Sequence, residues 1–161
     1  MFHRYYLDDD PFNKNNNRNL KNTERFTFNC GGYALGTFSW YCPHSEEDEN
    51  SSLWGYDYSF DDEEEAWVKT MYAVSQMVLD FGGRLRMIKT MSQLHEQTER
   101  VVAFRLSSDG DFHYIRRNEN GQWYHKRGRS PDILRMKERE VFETYWCDRY
   151  NGPLVLLAIQ K

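Results

Sequence analysis

The sequence predicts an α+β fold in which N-terminal helices pack on an antiparallel sheet. Helical patterns lie in the first half of the chain, and a succession of short strand patterns separated by turns follows them. A length of 161 residues suits one domain with its own hydrophobic core. We therefore expect a single domain over residues 1–161, with a loop or flexible arm at residues 8–22.

The first part of the chain combines two solvated segments with one short helical pattern. Residues 8–22, DDDPFNKNNNRNLKN, are rich in Asp, Asn and Pro, a composition typical of turns and loops. In the stretch NCGGYALGTFSWYC, the spacing of apolar residues predicts a helix that begins near Cys30. The acidic run HSEEDENSS predicts a second solvated loop.

The clearest helical pattern runs from residue 61 to residue 81. It opens on DDEEE, where carboxylates suit the positive end of the helix dipole, and it closes on Gly82 and Gly83 as a C-terminal cap. Its apolar residues recur every three or four positions and predict a buried stripe of Trp67, Met71, Val74, Val78 and Phe81.

Strand patterns fill the rest of the chain. GRLRMIK and ERVVAFRLS have the alternation and β-branched content of strands, with a turn or short helix between them at residues 92–98. DFHYIRRN and QWYHKR flank an Asn-Gly pair, which predicts a β-hairpin. The continuous apolar run of PLVLLAIQ is typical of a central strand that is covered on both faces.

Composition narrows the classes of partner and compartment. The net charge is −4 and the basic residues are scattered, so we expect no nucleic-acid partner. No apolar run is long enough for a membrane span, and the start, MFHRYYLDDD, lacks the pattern of a signal peptide. We therefore expect a cytoplasmic protein without a membrane partner. Its three cysteines are an odd number, and we expect them to be reduced.

Cys30 is the candidate nucleophile. A thiol attacks an acyl carbon as its thiolate, and a helix N-terminus and an adjacent imidazole both lower a thiol pKa. Gly31 and Gly32 would leave space beside the sulfur, and the Cys30 amide would face a developing oxyanion. Asn22, Thr23 and Asn29 are equivalent candidates for a second oxyanion donor. The alternative is a buried structural thiol beside a Gly-Gly turn.

Two of the five histidines are candidates for the base and its orienter. His113 and His125 lie on the two arms of the predicted hairpin, whereas the other three lie in polar segments. A two-residue loop pairs residue 117 with 124 and points the two histidines to opposite faces. A three-residue loop, 119–121, pairs residue 115 with 125 and places both histidines on one face. In that register His125 orients His113, which deprotonates Cys30.

The NCGG segment followed by DFHYIRRNENGQWYH resembles the papain-like cysteine hydrolases of bacteria and phages. The similarity is to cell-wall peptidases of the NlpC type and, more loosely, to CHAP amidases. It also extends to small uncharacterised bacterial and phage proteins that share the two-histidine hairpin. It implies a papain-like fold with Cys30 as nucleophile, His113 as base and His125 as the third catalytic residue. Asn29 and Gly31 stand where that family usually has Asp and Ser.

These patterns predict a metal-independent cysteine peptidase or amidase that cleaves an amide or isopeptide bond. The substrate would be a peptide, peptidoglycan or a protein, and no cofactor is expected. Cys42 and His44 lack the spacing of a zinc knuckle, and SEEDE lacks the pattern of a calcium loop. The alternative is a non-enzymatic protein-binding or inhibitory module on a degenerate papain-like scaffold. The oligomeric state is left open.

Overall fold

The computed structural model describes residues 28–37, 39–43, 58–128, 130 and 132–161. The predicted arm at 8–22 and the acidic loop at 44–52, which includes His44, lie outside the described residues. The helices are α1 (Cys30–Ala34), α2 (Glu63–Asp80), a 3₁₀ turn (Met91–Gln93) and α3 (Glu138–Val141). The strands are β1 (Leu85–Ile88), β2 (Glu99–Leu106), β3 (Phe112–Arg117), β4 (Trp123–Lys126), β5 (Ile133–Met136) and β6 (Val155–Gln160).

The strands form one antiparallel sheet of six strands in the order β1-β6-β2-β3-β4-β5. The α+β class is therefore confirmed, as is the interior position of the PLVLLAIQ strand, since β6 pairs with both β1 and β2. The edge strand β5 was not expected. Its sequence, ILRM, is too short to show an alternating pattern.

The β3–β4 hairpin has the register of the three-residue loop. Arg116 pairs with Tyr124, and the Asn118 amide donates to the Gln122 carbonyl oxygen at 2.8 Å to close the loop. Gly121 has a φ of 79°, the left-handed conformation that this loop requires. His113 and His125 consequently project from the same face of the sheet.

Each face of the sheet is covered by a separate hydrophobic cluster. On one face, α1 and α2 pack against β3 through residues that include Cys30, Met77 and Tyr114. On the other face, Trp123 and Trp146 belong to a cluster that extends to α3. None of the helices within the described ranges has the length and hydrophobicity needed to cross a bilayer.

Helix α2 begins and ends close to the predicted positions, and most of its predicted stripe is confirmed: Val74 and Phe81 are buried in the core, and Met71 and Val78 pack against it. The Asp62 side chain caps the helix by accepting from the Glu65 amide at 2.8 Å. Trp67, expected in the core, is 49% exposed. The residues that face the core are mostly small: Ala66, Thr70, Ala73, Val74 and Met77.

Candidate active site

Cys30 is the first residue of α1, and the Asn29 side chain holds the start of that helix. Asn29 Oδ1 accepts hydrogen bonds from the amides of Gly32 at 2.9 Å and of Tyr41 at 3.0 Å. Asn29 Nδ2 donates to the Tyr41 carbonyl oxygen at 2.7 Å. The preference for Asn at a helix N-cap predicts the first of these bonds, whereas the link to Tyr41 depends on tertiary structure.

The start of α1 lies where the β3–β4 ladder ends. Of β3, only Arg116 and Arg117 pair with β4, and α1 contacts both strands. Lys126 Nζ donates to the Phe28 carbonyl oxygen at 2.6 Å, and so links the segment before Cys30 to the end of β4. Lys126 is fully buried, and its place in an otherwise ordinary strand pattern gives no sequence signal of this role.

The two glycines after Cys30 allow close packing instead of leaving room for a substrate. A Cβ on Gly32 would lie 1.8 Å from the Ser39 carbonyl oxygen. On Gly31 it would lie 3.1 Å from the Tyr114 ring. The expectation that both glycines open space beside the sulfur is therefore wrong, because neighbouring protein atoms occupy that space.

The thiol of Cys30 is in its neutral form. Cys30 is 5% exposed, and burial raises the pKa of its thiol to about 12. The backbone amides of Tyr114 and Gly31 act in the opposite direction, and the negative charge of Asp111 adds to the increase. The expected lowering of the pKa at a helix N-terminus is overturned, since the loss of solvent outweighs the amides.

His113 and His125 are joined by a hydrogen bond. His113 Nε2 lies 2.8 Å from His125 Nδ1, and both side chains are buried. Burial lowers the pKa of His113 well below its usual value, and the neighbouring His125 adds to this shift. Burial also lowers the pKa of His125 to about 4. Both imidazoles are therefore neutral at pH 7.

The structure brings two of the three predicted site residues, Cys30 and His113, to one cavity, whereas His125 bonds to His113 and is not among the residues that line that cavity. Phe112 and Tyr114 lie in the cluster that contains Cys30, so His113, between them, projects from the opposite face. Cys30 and His113 nevertheless line the same cavity of about 150 Å³. Among the described residues, no hydrogen bond joins the Cys30 sulfur to His113, whose bonded nitrogen is Nε2.

Residues that the sequence analysis did not single out complete the site. The Tyr150 ring stacks on His113 with centroids 4.9 Å apart, and both line the cavity. Asp111 also lines the cavity and pairs with Arg149 at 2.9 Å. Asp111 was detectable as the polar residue two positions before His113, whereas residues 149–150 are distant in sequence.

Of the rival site residues, Cys42 and Cys147 are not among the residues that line the cavity, and His44 and the acidic run at 45–49 lie outside the described residues. Cys42 is partly buried and Cys147 is exposed, and all three cysteines are free. Within the described ranges, no three His, Cys, Asp or Glu side chains are grouped as metal ligands would be. The Asn29 side chain is engaged in its three hydrogen bonds, and Asn22 and Thr23 lie outside the described residues.

Comparisons with known proteins gave no match: no protein-family model, no curated protein and no solved structure is significantly similar to this chain.

Proposed function

We propose that this protein is a metal-independent thiol hydrolase on a papain-like, NlpC-type scaffold, and that it cleaves an amide or isopeptide bond. The observation that carries the proposal is the His113–His125 hydrogen bond beside a cavity that Cys30 also lines. The element order supports it, since a helix that begins with the cysteine packs on strands that carry the two histidines.

The hydrogen bond between the histidines defines which nitrogen acts as the base. If His113 Nε2 donates its proton to His125 Nδ1, then His113 Nδ1 carries a lone pair. In the proposed reaction, this nitrogen accepts the thiol proton. His125 acts as the orienting residue, because it selects this tautomer and restrains the ring. Stacking of Tyr150 on His113 restrains the same ring further.

The reaction starts from a neutral Cys–His pair. Since burial disfavours the thiolate, the proton moves from sulfur to His113 Nδ1 as the sulfur bonds to the substrate carbonyl carbon. His113 then protonates the leaving nitrogen, the carbon–nitrogen bond breaks and a thioester forms. Water, deprotonated by His113, attacks the thioester and releases the acid and the free thiol.

The cavity is large enough for the reacting carbonyl group but not for the rest of a peptide substrate. A volume of about 150 Å³ is smaller than the pockets of drug-sized ligands, so most of the substrate lies on the outer surface. Trp40 lines the cavity and is 41% exposed, which places an aromatic ring at its entrance. This arrangement suits a peptide chain, from peptidoglycan or from a protein, that presents one carbonyl group to the sulfur.

The test is cleavage of two peptide-bond sources, purified peptidoglycan and a tryptic peptide library, with new amino groups measured by mass spectrometry. Cys30→Ser and His113→Ala are expected to abolish turnover. Cys147→Ser, which replaces an exposed thiol, is the matched control and should retain turnover. Cleavage that persists in Cys30→Ser would overturn the proposal.

A second candidate function is a protein-binding module without catalysis. Cys30 is buried and its thiol pKa is raised, as is typical of structural cysteines, and these two features favour this candidate. Absence of cleavage from both sources, together with normal folding of Cys30→Ser, would favour the binding module over the hydrolase.

A further inference from the structure

A groove separate from the Cys30 cavity lies beside the beginning of α2. It has a volume of about 960 Å³ and is bounded by α2, the end of β2 and residues 142–144 and 151–154. Two half-exposed aromatic side chains, Trp67 and Phe142, line it. Its size corresponds to a site for a drug-sized ligand such as a short peptide.

Arg105 lines this groove and has unused hydrogen-bonding capacity. Arg105 is 97% buried, with 3% of the residue exposed. Nη2 donates to the Glu143 carbonyl oxygen, whereas Nε and Nη1 have no partner among the described residues. The guanidinium lies 4.9 Å from the centre of the Trp146 ring. Burial lowers the Arg105 pKa to about 10, so the group remains a cation at pH 7.

A buried, unpaired guanidinium is costly, and an anionic ligand would compensate for it. A carboxylate accepts two parallel hydrogen bonds from one edge of a guanidinium, and on Arg105 such an edge combines the second N–H of Nη2 with the partnerless Nε or Nη1. The structure therefore contains a cation whose missing partner has the chemistry of a carboxylate.

The acidic residues that line the groove determine which carboxylate-containing ligands it favours. Four acidic residues line it: Asp61, Asp62, Glu63 and Glu143. They repel a ligand of high negative charge, such as a phosphate ester, and attract a ligand that carries a cation elsewhere. The Trp67 and Phe142 rings also suit a cationic or aromatic side chain.

We propose that this groove binds short basic peptides through their free C-terminal carboxylate, which pairs with Arg105, while a Lys or Arg side chain of the peptide lies near the acidic residues. The site uses no atom of Cys30, so it holds whether or not the protein is a hydrolase.

The experiment is calorimetric titration of the full chain with three synthetic peptides. The probes are acetyl-Lys-Ala-Phe with a free carboxylate, the same peptide as its C-terminal amide, and acetyl-Glu-Ala-Phe with a free carboxylate. Amidation is expected to weaken binding by about tenfold or more, the effect of losing charge-assisted hydrogen bonds. Exchange of Lys for Glu in the peptide is expected to weaken it as well.

Variants of the protein locate the site. Arg105→Met is expected to weaken binding of the free-carboxylate peptide by about tenfold or more. Arg135→Met is the matched control, because it removes the same charge from the exposed face of β5, and it should leave binding unchanged. Trp67→Ala should weaken binding, whereas Val68→Ala, at the neighbouring exposed position, should not. Cys30→Ser is expected to bind like the wild type, which separates this proposal from the hydrolase.

Folding of the key variant is checked independently. Replacing a buried unpaired cation by Met should leave the melting temperature of Arg105→Met at or above that of the wild type. Arg105→Lys retains the charge and loses the two-donor geometry, so it should also bind more weakly. Equal binding of acid and amide, full affinity in folded Arg105→Met, or no binding of any probe would each overturn the proposal.

Discussion

At the scale of single residues, the Cys30 sulfur and the two imidazoles are all held in their neutral forms. Burial is the leading cause in each case, because it removes the water that stabilises a charge. A helix N-terminus and a nearby imidazole are features of reactive thiols, but here they do not produce a thiolate. The proposed chemistry therefore depends on proton transfer during the attack.

The order in which the cysteines react with iodoacetamide follows from this. At pH 8 we expect exposed Cys147 to be alkylated first and Cys30 last, at least about tenfold more slowly, because the reagent needs both access and a thiolate. Peptide mapping by mass spectrometry over time measures the three rates. Faster labelling of Cys30 than of Cys147 would contradict the raised pKa.

The histidine pair predicts loss of stability in acid. An unfolded histidine titrates near pH 6.5, whereas folded His125 titrates near pH 4. Between these pH values the unfolded state binds more protons, so the free energy of unfolding decreases as the pH falls. His125 alone should account for about 3 kcal/mol of this loss, and His113 adds to it in the same direction.

Urea unfolding at pH 6.5 and pH 4 measures the effect. His125→Gln should lose less stability than the wild type over this interval, because the variant has one fewer depressed histidine. His95→Gln, at an exposed histidine, is the control and should retain the wild-type loss. A loss in His125→Gln as large as in the wild type would show that His125 titrates normally in the folded protein.

At the scale of elements, the position of α1 depends on the close approach of its backbone to the segment at 39–41. The Gly32 Cα lies so near the Ser39 carbonyl group that no side chain fits between them. The Asn29 bonds to Tyr41 act on the same two segments. Cys30 is therefore positioned by backbone packing as much as by helix formation.

Substitution of Gly32 tests this contact. Gly32→Ala is expected to lower the free energy of unfolding by more than about 3 kcal/mol, because the backbone at Ser39 must move. Gly83→Ala is the control: its surroundings are open, and only its φ of 82° opposes a side chain, at about 1–2 kcal/mol. Equal effects of the two substitutions in denaturant unfolding would contradict the proposed role of Gly32.

The contrast between Met77 and Trp67 on α2 gives a second test at this scale. Met77 is fully buried, so Met77→Ala should cost about 2–5 kcal/mol. Trp67→Ala should change the stability by less than about 1 kcal/mol, because Trp67 is 49% exposed and lies outside the buried core. Thermal unfolding distinguishes the two. A larger loss for Trp67→Ala would restore Trp67 to the stripe predicted from the sequence.

The sequence was sufficient for features that local patterns determine. The limits of α2 follow from acidic residues at one end and glycines at the other, and the Asn-Gly turn allowed the register that pairs His113 with His125. On the face of α2, only the burial of Trp67 was wrong, because the pattern weighs large apolar residues, whereas the core also accepts the small side chains of Ala66 and Ala73. The thiol pKa was wrong because burial is a property of the assembled structure, which no motif around Cys30 contains.

At the scale of the whole molecule, the sheet is built around strands that are distant in sequence. β2 pairs with β3 on one side and β6 on the other, and hydrophobic clusters cover both faces. Among the described strands, β5 lies at one edge with a neighbour on one side, and it is four residues long. Resistance to local opening should therefore be highest at the centre and lowest at this edge.

Amide hydrogen exchange measures that gradient. Peptides that cover 99–106 and 155–160 are expected to exchange most slowly, and the peptide that covers 133–136 should exchange faster than either. The hairpin strands should fall between these limits. Exchange in β5 as slow as in β2 would indicate that an additional contact protects that edge.

The place of β6 between β1 and β2 determines when the sheet can form as the chain is synthesised. In the part of the chain that the structure describes, β1 pairs with β6 alone, and β6 also covers one edge of β2. While residues 155–160 are still inside the ribosomal exit tunnel, both strands expose unpaired backbone groups on the nascent chain. The sheet therefore closes only after those residues emerge, and until then the growing polypeptide is a natural client for chaperones that shield open strand edges.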